Sequence, residues 1–386
     1  MDIKYFDNAA TTKVSKEVLE EMMPYLKDEF GNPSSMYTLG RSSKRAVEEA
    51  RKKVANLINC EPEEIYFTSS GSESDNTAIK GIAYENYRRG RHIITSKIEH
   101  PAVLNTCHTL EKQGFFVTYL DVNKEGFVDI NQLIKSIRYD TILISIMFAN
   151  NEIGTIQDIE EISKIAKMYN IIFHTDAVQA CGNIPIDVKK LGIDMLSLSG
   201  HKFHAPKGIG ALYVKKGIEF KKFIDGGHQE KDKRASTENV PGIVALGKAS
   251  EIASKNLSHH VEYLSDLRNY YISEVENKIQ GAILNGPKEK RLPGNANFSF
   301  EGIDGGALLL NLDEKGICAS SGSACSTGNP NPSHVLKAIG LSDELANGAL
   351  RTSFGEDNTK EDIDYLVDNL KESITRLRII NSPELQ

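Results

Sequence analysis

Between about residues 60 and 215, short apolar runs alternate with amphipathic stretches, and this pattern limits the possible folds more than any other feature. The runs are mostly unbroken series of β-branched and aromatic residues, typical of strands buried on both faces. Strands that alternate with helices predict an α/β fold with a mostly parallel sheet covered on both sides. The predicted strands are 64–68, 92–95, 115–120, 142–147, 171–174, 195–199 and 210–214, and the helices between them include 75–87, 101–113 and 159–169.

The pattern changes near Pro241. Residues 242–278 predict one long helix, or two with a break near Asn256, and the rest of the chain mixes short strands with helices. The strands are expected at 282–284, 296–300 and 349–354, and the helices at 307–315 and 360–377. The predicted domains are a large domain (15–258) that binds the ligand, a small α+β domain (259–386), and an N-terminal segment (1–14) that packs with the small domain.

Composition excludes several classes of protein. The apolar fraction of 40% and the charged fraction of 26% are ordinary for a globular chain, and no apolar run is long enough to span a membrane. A net charge of −7 disfavours direct nucleic-acid binding. The five cysteines form neither a disulfide framework nor a zinc pattern, and the first residues show no signal-peptide pattern. A reducing, cytoplasmic location is therefore expected.

Ligands of open α/β sheets bind beyond the carboxyl ends of the strands, so the residues that follow each strand are the candidates. After the first strand, residues 68–74 place hydroxyl side chains and Gly71 at a helix start. Backbone N–H groups there can bind an anion, although an ordinary helix cap is the alternative. After the second strand, His100 precedes Pro101, which suits a first helical position. His100 can stack on a ring or move a proton, or it can simply cap the helix.

Three further strand ends carry polar groups. Asn150 and Asn151 can bind a ligand or form a turn. Asp176 follows a buried strand and needs a cationic partner, such as a protonated ring nitrogen of a ligand, unless it caps the next helix. Lys202 lies among histidines in a glycine-rich stretch, which is typical of a lysine that forms a Schiff base, the alternative being a surface lysine.

Taken together, these groups match one cofactor. Pyridoxal 5′-phosphate requires a lysine for its aldehyde, a carboxylate for its ring nitrogen, an anion site for its phosphate and a group that stacks on its ring. Lys202, Asp176, the 68–74 turn and His100 match these four needs. Each signal is modest alone, and the combination is specific.

At this point the chain resembles the cysteine desulfurases of the NifS/IscS group, which are class V, fold-type I pyridoxal-phosphate enzymes. The resemblance extends over essentially the whole chain, and the last of its motifs separates this group from class V aminotransferases. The motifs are FDNAATT (6–12), EHP (99–101), NNEIG (150–154), HTDAVQ (174–179), SGHKFH (199–204) and SSGSAC (320–325).

The resemblance implies a role for each matching residue. Lys202 joins the cofactor, Asp176 pairs with its ring nitrogen, Gln179 bonds the ring oxygen, and His100 stacks and relays protons. The phosphate is held by Gly71, Ser72, Ser199 and His201, with Thr237 contributed by the other subunit of a homodimer. The substrate carboxylate is held by Asn151 and Arg351, with Asn151 also beside the cofactor. Cys325 attacks the sulfur of L-cysteine, which leaves alanine and an enzyme persulfide.

Two further features bear on this expectation. The 320–332 loop is rich in Gly, Ser and Pro, which predicts an exposed, mobile carrier for Cys325, while Cys60, Cys107, Cys181 and Cys318 are expected to be structural. Ser236 stands where the family usually has glycine, which predicts either backbone strain there or a different loop.

The expected activity is desulfuration of L-cysteine for iron–sulfur cluster assembly or another sulfur-transfer pathway. The expected acceptor is a protein such as an iron–sulfur scaffold or a tRNA-thiolation protein. No metal ligands are expected in the chain itself, although Cys325 can meet a cluster held by a partner. The alternatives are a selenocysteine lyase or another aminotransferase-like enzyme, and an inactive homologue that serves as a binding platform.

Overall fold

The computed structural model describes residues 3–321 and 332–380. Its strands are β1 (Lys4–Tyr5), β2 (Ile65–Thr68), β3 (His92–Ser96), β4 (Phe116–Leu120), β5 (Thr141–Ser145), β6 (Ile172–Asp176), β7 (Met195–Ser199), β8 (Gly210–Val214), β9 (Ala282–Leu284), β10 (Asn295–Phe300), β11 (Ile317–Cys318) and β12 (Ala349–Ser353). Its helices are α1 (Lys16–Lys27), α2 (Thr38–Ile58), α3 (Gly71–Glu85), α4 (Pro101–Glu111), α5 (Ile130–Ser136), α6 (Ile159–Met168), α7 (Val188–Leu191), α8 (Gln229–Asp232), α9 (Val240–Lys278), α10 (Gly305–Asp313), α11 (His334–Ala338), α12 (Asp343–Asn347) and α13 (Lys360–Ile380).

A central sheet carries its strands in the order β2-β8-β7-β6-β5-β3-β4. Strands β3 to β7 pair in parallel, whereas β8 runs antiparallel to both of its neighbours. Within the described residues this is a seven-stranded, mostly parallel sheet, which confirms the predicted α/β fold. Strands β3, β5, β7 and β8 are buried along their whole length, which explains their unbroken apolar runs.

The seven strands predicted for this region are all present, and their ends shift by up to two residues. The predicted long helix is the single helix α9 of 39 residues, with no break near Asn256. At 1.5 Å per residue it is about 58 Å long. It packs against α1 and α2 and also against α13, so it contacts helices from both parts of the chain.

A second hydrophobic core lies around the antiparallel sheet β12-β10-β9. Phe6 belongs to this core, and its ring meets Phe354 edge to face at 6.0 Å. The predicted domain boundaries at 14 and 258 stay predictions, and residue 258 lies inside α9. In residues 3–321 and 332–380, no helix combines the length and hydropathy that a membrane span requires.

A buried ion pair joins α2 to α8. The two Nη atoms of Arg51 donate to the Glu230 carboxylate at 2.8 and 2.9 Å, and the Phe67 N–H donates to the same carboxylate at 2.8 Å. Glu230, Lys231 and Asp232 have φ values of 46°, 56° and 65°, a backbone conformation that is costly for residues other than glycine. The ion pair therefore holds a strained turn against the end of β2.

We expect Glu230→Gln to destabilise the protein by about 3–5 kcal/mol, because it removes the buried counter-charge of Arg51 and leaves only the half-exposed Glu48 carboxylate, at 3.3 Å, to compensate the guanidinium. The measurement is the free energy of unfolding in urea, with cofactor content held equal. Glu160→Gln is the matched control, since it breaks an exposed pair with Lys164 in which the side chains are 44% and 69% accessible. Equal effects of the two substitutions would contradict a structural role for the buried pair.

Candidate active site

The candidate site lies at the carboxyl edge of the central sheet. Strand β6 ends at Asp176 and the neighbouring strand β7 ends at Ser199, with Asp176 in register with Ser197. A single 3-10 turn, Gly200–Lys202, follows β7 and carries the lysine one turn beyond the sheet. The strand-end rule therefore brings Asp176, Ser199 and Lys202 to one edge, as the sequence predicts.

The amine of Lys202 is held by backbone carbonyls of the N-terminal segment. Its Nζ donates to the carbonyl oxygens of Ala9 at 2.6 Å and Ala10 at 2.8 Å. Gln179 Nε2 donates to the same Ala9 oxygen at 3.0 Å. Lys202 is thus not a freely solvated surface lysine, and residues 9 and 10 fix its amine beside Gln179.

Asp176 is buried, with 5% of its surface accessible, and its carboxylate accepts the Val178 N–H at 2.9 Å. Burial raises the pKa of Asp176 to about 6, against the opposing effects of that hydrogen bond and of the Lys202 charge. A cationic group beside the carboxylate would favour its ionised form. The side chain therefore suits a partner such as a protonated ring nitrogen.

His100 is the N-cap of α4, and its Nδ1 accepts the Ala102 N–H at 3.1 Å. Burial, with a smaller contribution from the Lys202 charge, lowers the pKa of His100 to about 4. The ring is therefore neutral near pH 7, with its hydrogen on Nε2. The capping role that the sequence allowed is real, and it leaves a neutral imidazole close enough to Lys202 for the lysine charge to help lower the pKa of the ring.

The turn at residues 68–74 leads into the start of α3, where the structure shows the helix cap that the sequence allowed. Ser70 caps the helix by accepting the Glu73 N–H at 3.2 Å, and Gly71 is the first helical residue. A Cβ on Gly71 would lie 2.5 Å from Val178 Cγ2 and 3.4 Å from Ser199 Cβ, so only glycine permits this close approach. The N-terminus of a 15-residue helix thus adjoins Ser199 at the same edge as Asp176.

A second ion pair fastens this turn to the segment after α8. Arg234 donates to the Glu73 carboxylate at 2.8 and 3.1 Å, and Ser69 donates to it through its N–H and hydroxyl. Burial acts to raise the pKa of Glu73, but these hydrogen bonds together lower it. Ser236 has φ of 103°, so the strain expected from its replacement of glycine is confirmed. Thr237 is exposed on the single chain, which leaves it accessible to a second copy.

His201 lies against the N-terminal segment, where its Nδ1 is 3.1 Å from Thr11 Oγ1. Burial, with the nearby Lys202 charge, lowers the pKa of His201 to about 4, so its ring is also neutral near pH 7. Ser72 is exposed in the first turn of α3.

The sequence left open whether Asn150 and Asn151 bind a ligand or form a turn, and the structure gives the two residues different contacts. Asn150 forms a turn, because its side-chain oxygen accepts the N–H groups of Glu152 at 2.9 Å and Ile153 at 3.0 Å. Asn151 contributes its backbone oxygen, which accepts Nη1 of Arg351 at 3.0 Å. Arg351 is 2% accessible, so the structure brings Asn151 and this buried guanidinium together.

The structure adds two acidic side chains with partners that the sequence analysis did not identify. Asp7 forms an ion pair with Arg351 across most of the chain length. Asp75 is 1% accessible, and its Oδ1 lies 3.7 Å from Nε2 of the buried His174. Burial raises the pKa of Asp75 well above its usual range. The only sequence signal for these residues is an acidic side chain next to a small-residue motif, which by itself indicates no partner.

The cysteines fall into two groups. Cys60, Cys107 and Cys181 are buried, and burial raises the pKa of each thiol, which makes them poor nucleophiles. Cys318 is half-buried at the end of β11. Cys325 and most of the 320–332 loop lie outside the described residues.

The groups gathered at this edge match the needs of pyridoxal phosphate. They comprise a fixed primary amine, a buried carboxylate, a neutral imidazole and a helix N-terminus beside Ser199. The nearby Lys202 charge acts to lower the pKa of Asp176, but it does not offset the effect of burial. A buried carboxylate with so little compensation fits a ligand that brings its own cation.

Comparisons with known proteins agree with this chemistry. The sequence profile of the family described as "Aminotransferase class-V" matches residues 4–366. Cysteine desulfurase IscS of Dictyoglomus turgidum is 55% identical over 377 residues, which cover 98% of this chain and 96% of that protein.

Two solved structures are similar over nearly the whole fold. One, described as a NifS-like protein, is 40% identical with a TM-score of 0.92, and the match covers 97% of this chain and 100% of the other. The other, SspA in complex with cysteine, is 40% identical with a TM-score of 0.79, and the match covers 91% of this chain and 98% of the other.

Proposed function

The chain belongs to the class-V aminotransferase family and, within it, to the cysteine desulfurases, and from this premise we propose that it binds pyridoxal 5′-phosphate at Lys202 and transfers the sulfur of L-cysteine to Cys325. One observation supports the cofactor site above the others: the Lys202 amine is fixed at the same sheet edge as the buried Asp176 carboxylate. That pair is what a cofactor with an aldehyde and a basic ring nitrogen requires.

Each part of the cofactor has a proposed holder in this chain. Asp176 pairs with the ring nitrogen, Gln179 bonds the ring oxygen, and His100 stacks on the ring with Asn151 nearby. The phosphate is held by Gly71, Ser72, Ser199, His201 and, from a second copy of the chain, Thr237. When bound, the cofactor supplies an electron sink for the bonds of the substrate amino acid.

The chain's own residues then hold and move protons. An ionised Asp176 keeps a positive charge on the ring nitrogen. The Ala9 and Ala10 carbonyls hold the Lys202 amine where it can accept and return a proton at Nζ. His100 is neutral and carries its hydrogen on Nε2, so it can donate a hydrogen bond through that N–H without carrying charge. Arg351 and Asn151 bind the substrate carboxylate.

The sulfur transfer needs only the substrate, one thiolate and one proton. The Cys325 thiolate forms an S–S bond with the sulfur of cysteine, and the C–S bond breaks with its electron pair left on carbon. A proton taken up at that carbon gives L-alanine, and the enzyme keeps a persulfide. The outer sulfur atom of the persulfide then passes to an acceptor protein, which uses it for iron–sulfur clusters or for thiolated tRNA. The proposed enzyme is a homodimer in the reducing cytoplasm.

Product analysis tests the proposal. Purified protein loaded with pyridoxal phosphate is given L-cysteine and a reductant, and sulfide and alanine are measured with the visible absorption. Equal amounts of alanine and sulfide support the desulfurase. Pyruvate in place of alanine would indicate a lyase, a 2-oxo acid without sulfide would indicate transamination, and absence of both colour and turnover would indicate an inactive platform.

We expect Asp176→Asn to lower kcat for L-cysteine by about 10²-fold or more, because the substitution removes the charge that keeps the ring nitrogen protonated. The affinity for pyridoxal phosphate should fall as well. Asp194→Asn is the matched control, since Asp194 lies at the other end of the same strands and bonds the Phe173 N–H. Unchanged kcat in Asp176→Asn would contradict the ring-nitrogen role.

A further inference from the structure

The N-terminal segment, residues 7–12, contacts both halves of the candidate site. Ala9 and Ala10 accept from Lys202, and Thr12 Oγ1 donates to the His201 carbonyl at 3.1 Å. On the other side, Asn8 Nδ2 donates to the Ser353 carbonyl at 3.0 Å. Residues 7–12 thus connect the turn that carries His201 and Lys202 with strand β12, which carries Arg351.

The strongest contact of this segment is the ion pair between Asp7 and Arg351. Nη2 of Arg351 donates to Asp7 Oδ1 at 2.7 Å, while Nη1 donates to the Asn151 carbonyl at 3.0 Å. Arg351 is almost inaccessible, and the Asp7 side chain is 18% accessible. The guanidinium is therefore held on two of its nitrogens by acceptors from two different segments.

We propose that Asp7 is a positioning residue that orients the Arg351 guanidinium for the α-carboxylate of the substrate. The inference rests on the proposed function, because it takes Arg351 as the carboxylate-binding group. A guanidinium is planar and has five N–H donors in a fixed fork. Two bonds on different nitrogens fix both the position and the plane of the guanidinium, which sets the direction from which a carboxylate can approach it.

The negative charge of Asp7 also helps to hold the Arg351 guanidinium in place. A guanidinium that is desolvated to this degree is costly without a counter-charge, so Asp7 keeps Arg351 inside the site before the substrate arrives. The backbone of Arg351 in strand β12 is fixed by Ser320, because the Arg351 N–H donates to the Ser320 carbonyl at 2.6 Å. The substrate then meets an arginine that needs no reorganisation, which is what preorganised binding requires.

This role differs measurably from simple charge competition. If Asp7 orients Arg351, its loss weakens binding of ligands that carry a carboxylate. If Asp7 merely competes with the substrate for Arg351, its loss strengthens their binding. The sign of the change in KM therefore separates the two.

The test uses the loaded full-length enzyme and the variants Asp7→Asn and Asp7→Glu. For Asp7→Asn we expect KM for L-cysteine to rise about tenfold, with kcat within twofold, because the lost interaction contributes to binding alone. The dissociation constant of L-alanine, measured from the visible absorption, should rise by the same factor. That of ethylamine, which lacks the carboxylate, should not change. Asp7→Glu keeps the charge and should recover part of the affinity.

Lys4→Met is the matched control. Lys4 anchors the same end of the chain through an ion pair with Asp362 at 2.7 Å, whereas the ion pair of Arg351 is with Asp7. The Lys4→Met variant should leave the ratio of the alanine and ethylamine constants unchanged. A lower KM in Asp7→Asn, or equal changes for alanine and ethylamine, would overturn the inference. If Asp7→Asn does not fold, the alanine-to-ethylamine ratio in Asp7→Ser decides, and an unchanged ratio there refutes the role. A wild-type protein that binds neither pyridoxal phosphate nor L-cysteine would refute the proposed function itself.

Discussion

Replacing Lys202 by alanine is expected to remove the visible absorption of the bound cofactor and to reduce sulfide release from L-cysteine by at least about 10³-fold. In the proposed function Lys202 provides both the covalent attachment and the base, and its amine donates to two backbone carbonyls. The measurement compares absorption spectra and sulfide release in wild type and Lys202→Ala at equal cofactor concentration.

Lys207→Ala is the control for this experiment. Lys207 lies exposed in the same glycine-rich stretch, so its loss removes a lysine from the neighbourhood and leaves the attachment point intact. Its absorption and rate should match those of wild type. If Lys202→Ala kept the absorption band and the rate while Lys207→Ala lost them, the assignment of the attachment site would be wrong.

Replacing Cys325 by alanine is expected to abolish sulfide release while the cofactor's absorption remains. In the proposed function the cysteine acts after the substrate has bound, and the residues proposed to hold the cofactor do not include it. Alanine should cease to form as well, because the C–S bond breaks only when a thiolate takes the sulfur. The variant therefore separates cofactor binding from sulfur transfer.

Cys318→Ala is the matched thiol control. Cys318 precedes the same loop, but it is half-buried in β11, and burial raises the pKa of its thiol. A raised pKa leaves little thiolate near pH 7, so this variant should keep its activity. Wild-type turnover in Cys325→Ala would mean that the protein releases sulfur without an enzyme persulfide from this residue.

Much of the fold could be predicted from the sequence because its strongest signals are local. The buried strands of the central sheet are continuous apolar runs, so their number and order along the chain were predictable. The positions of Asp176 and Lys202 at one edge followed from the rule that parallel strands end together. At Ser236 the sequence left backbone strain and a different loop as alternatives, and the positive φ in the structure favours strain.

The contacts that complete the site were not predictable because they join distant parts of the chain. Nothing near Asp7 indicates that its partner is Arg351, and nothing near Arg51 indicates Glu230. Charged residues are common, and their pairing depends on how strands and helices are placed in three dimensions. The left-handed turn at Glu230 has no glycine to mark it, and it depends on the buried ion pair.

The pairing of the first strand with a late one has a consequence for biosynthesis. Strand β1 lies parallel to β11, with Lys4 beside Ile317, so β1 lacks this strand partner until β11 has been made. At a translation rate of about 5–20 residues per second, the nascent β1 waits roughly 15 to 60 s. The central sheet can form in that interval, and Thr12 can already bond the His201 carbonyl, but the side of the segment that precedes Ala9 is anchored only afterwards. Prematurely terminated chains should therefore contain a folded sheet that retains pyridoxal phosphate poorly.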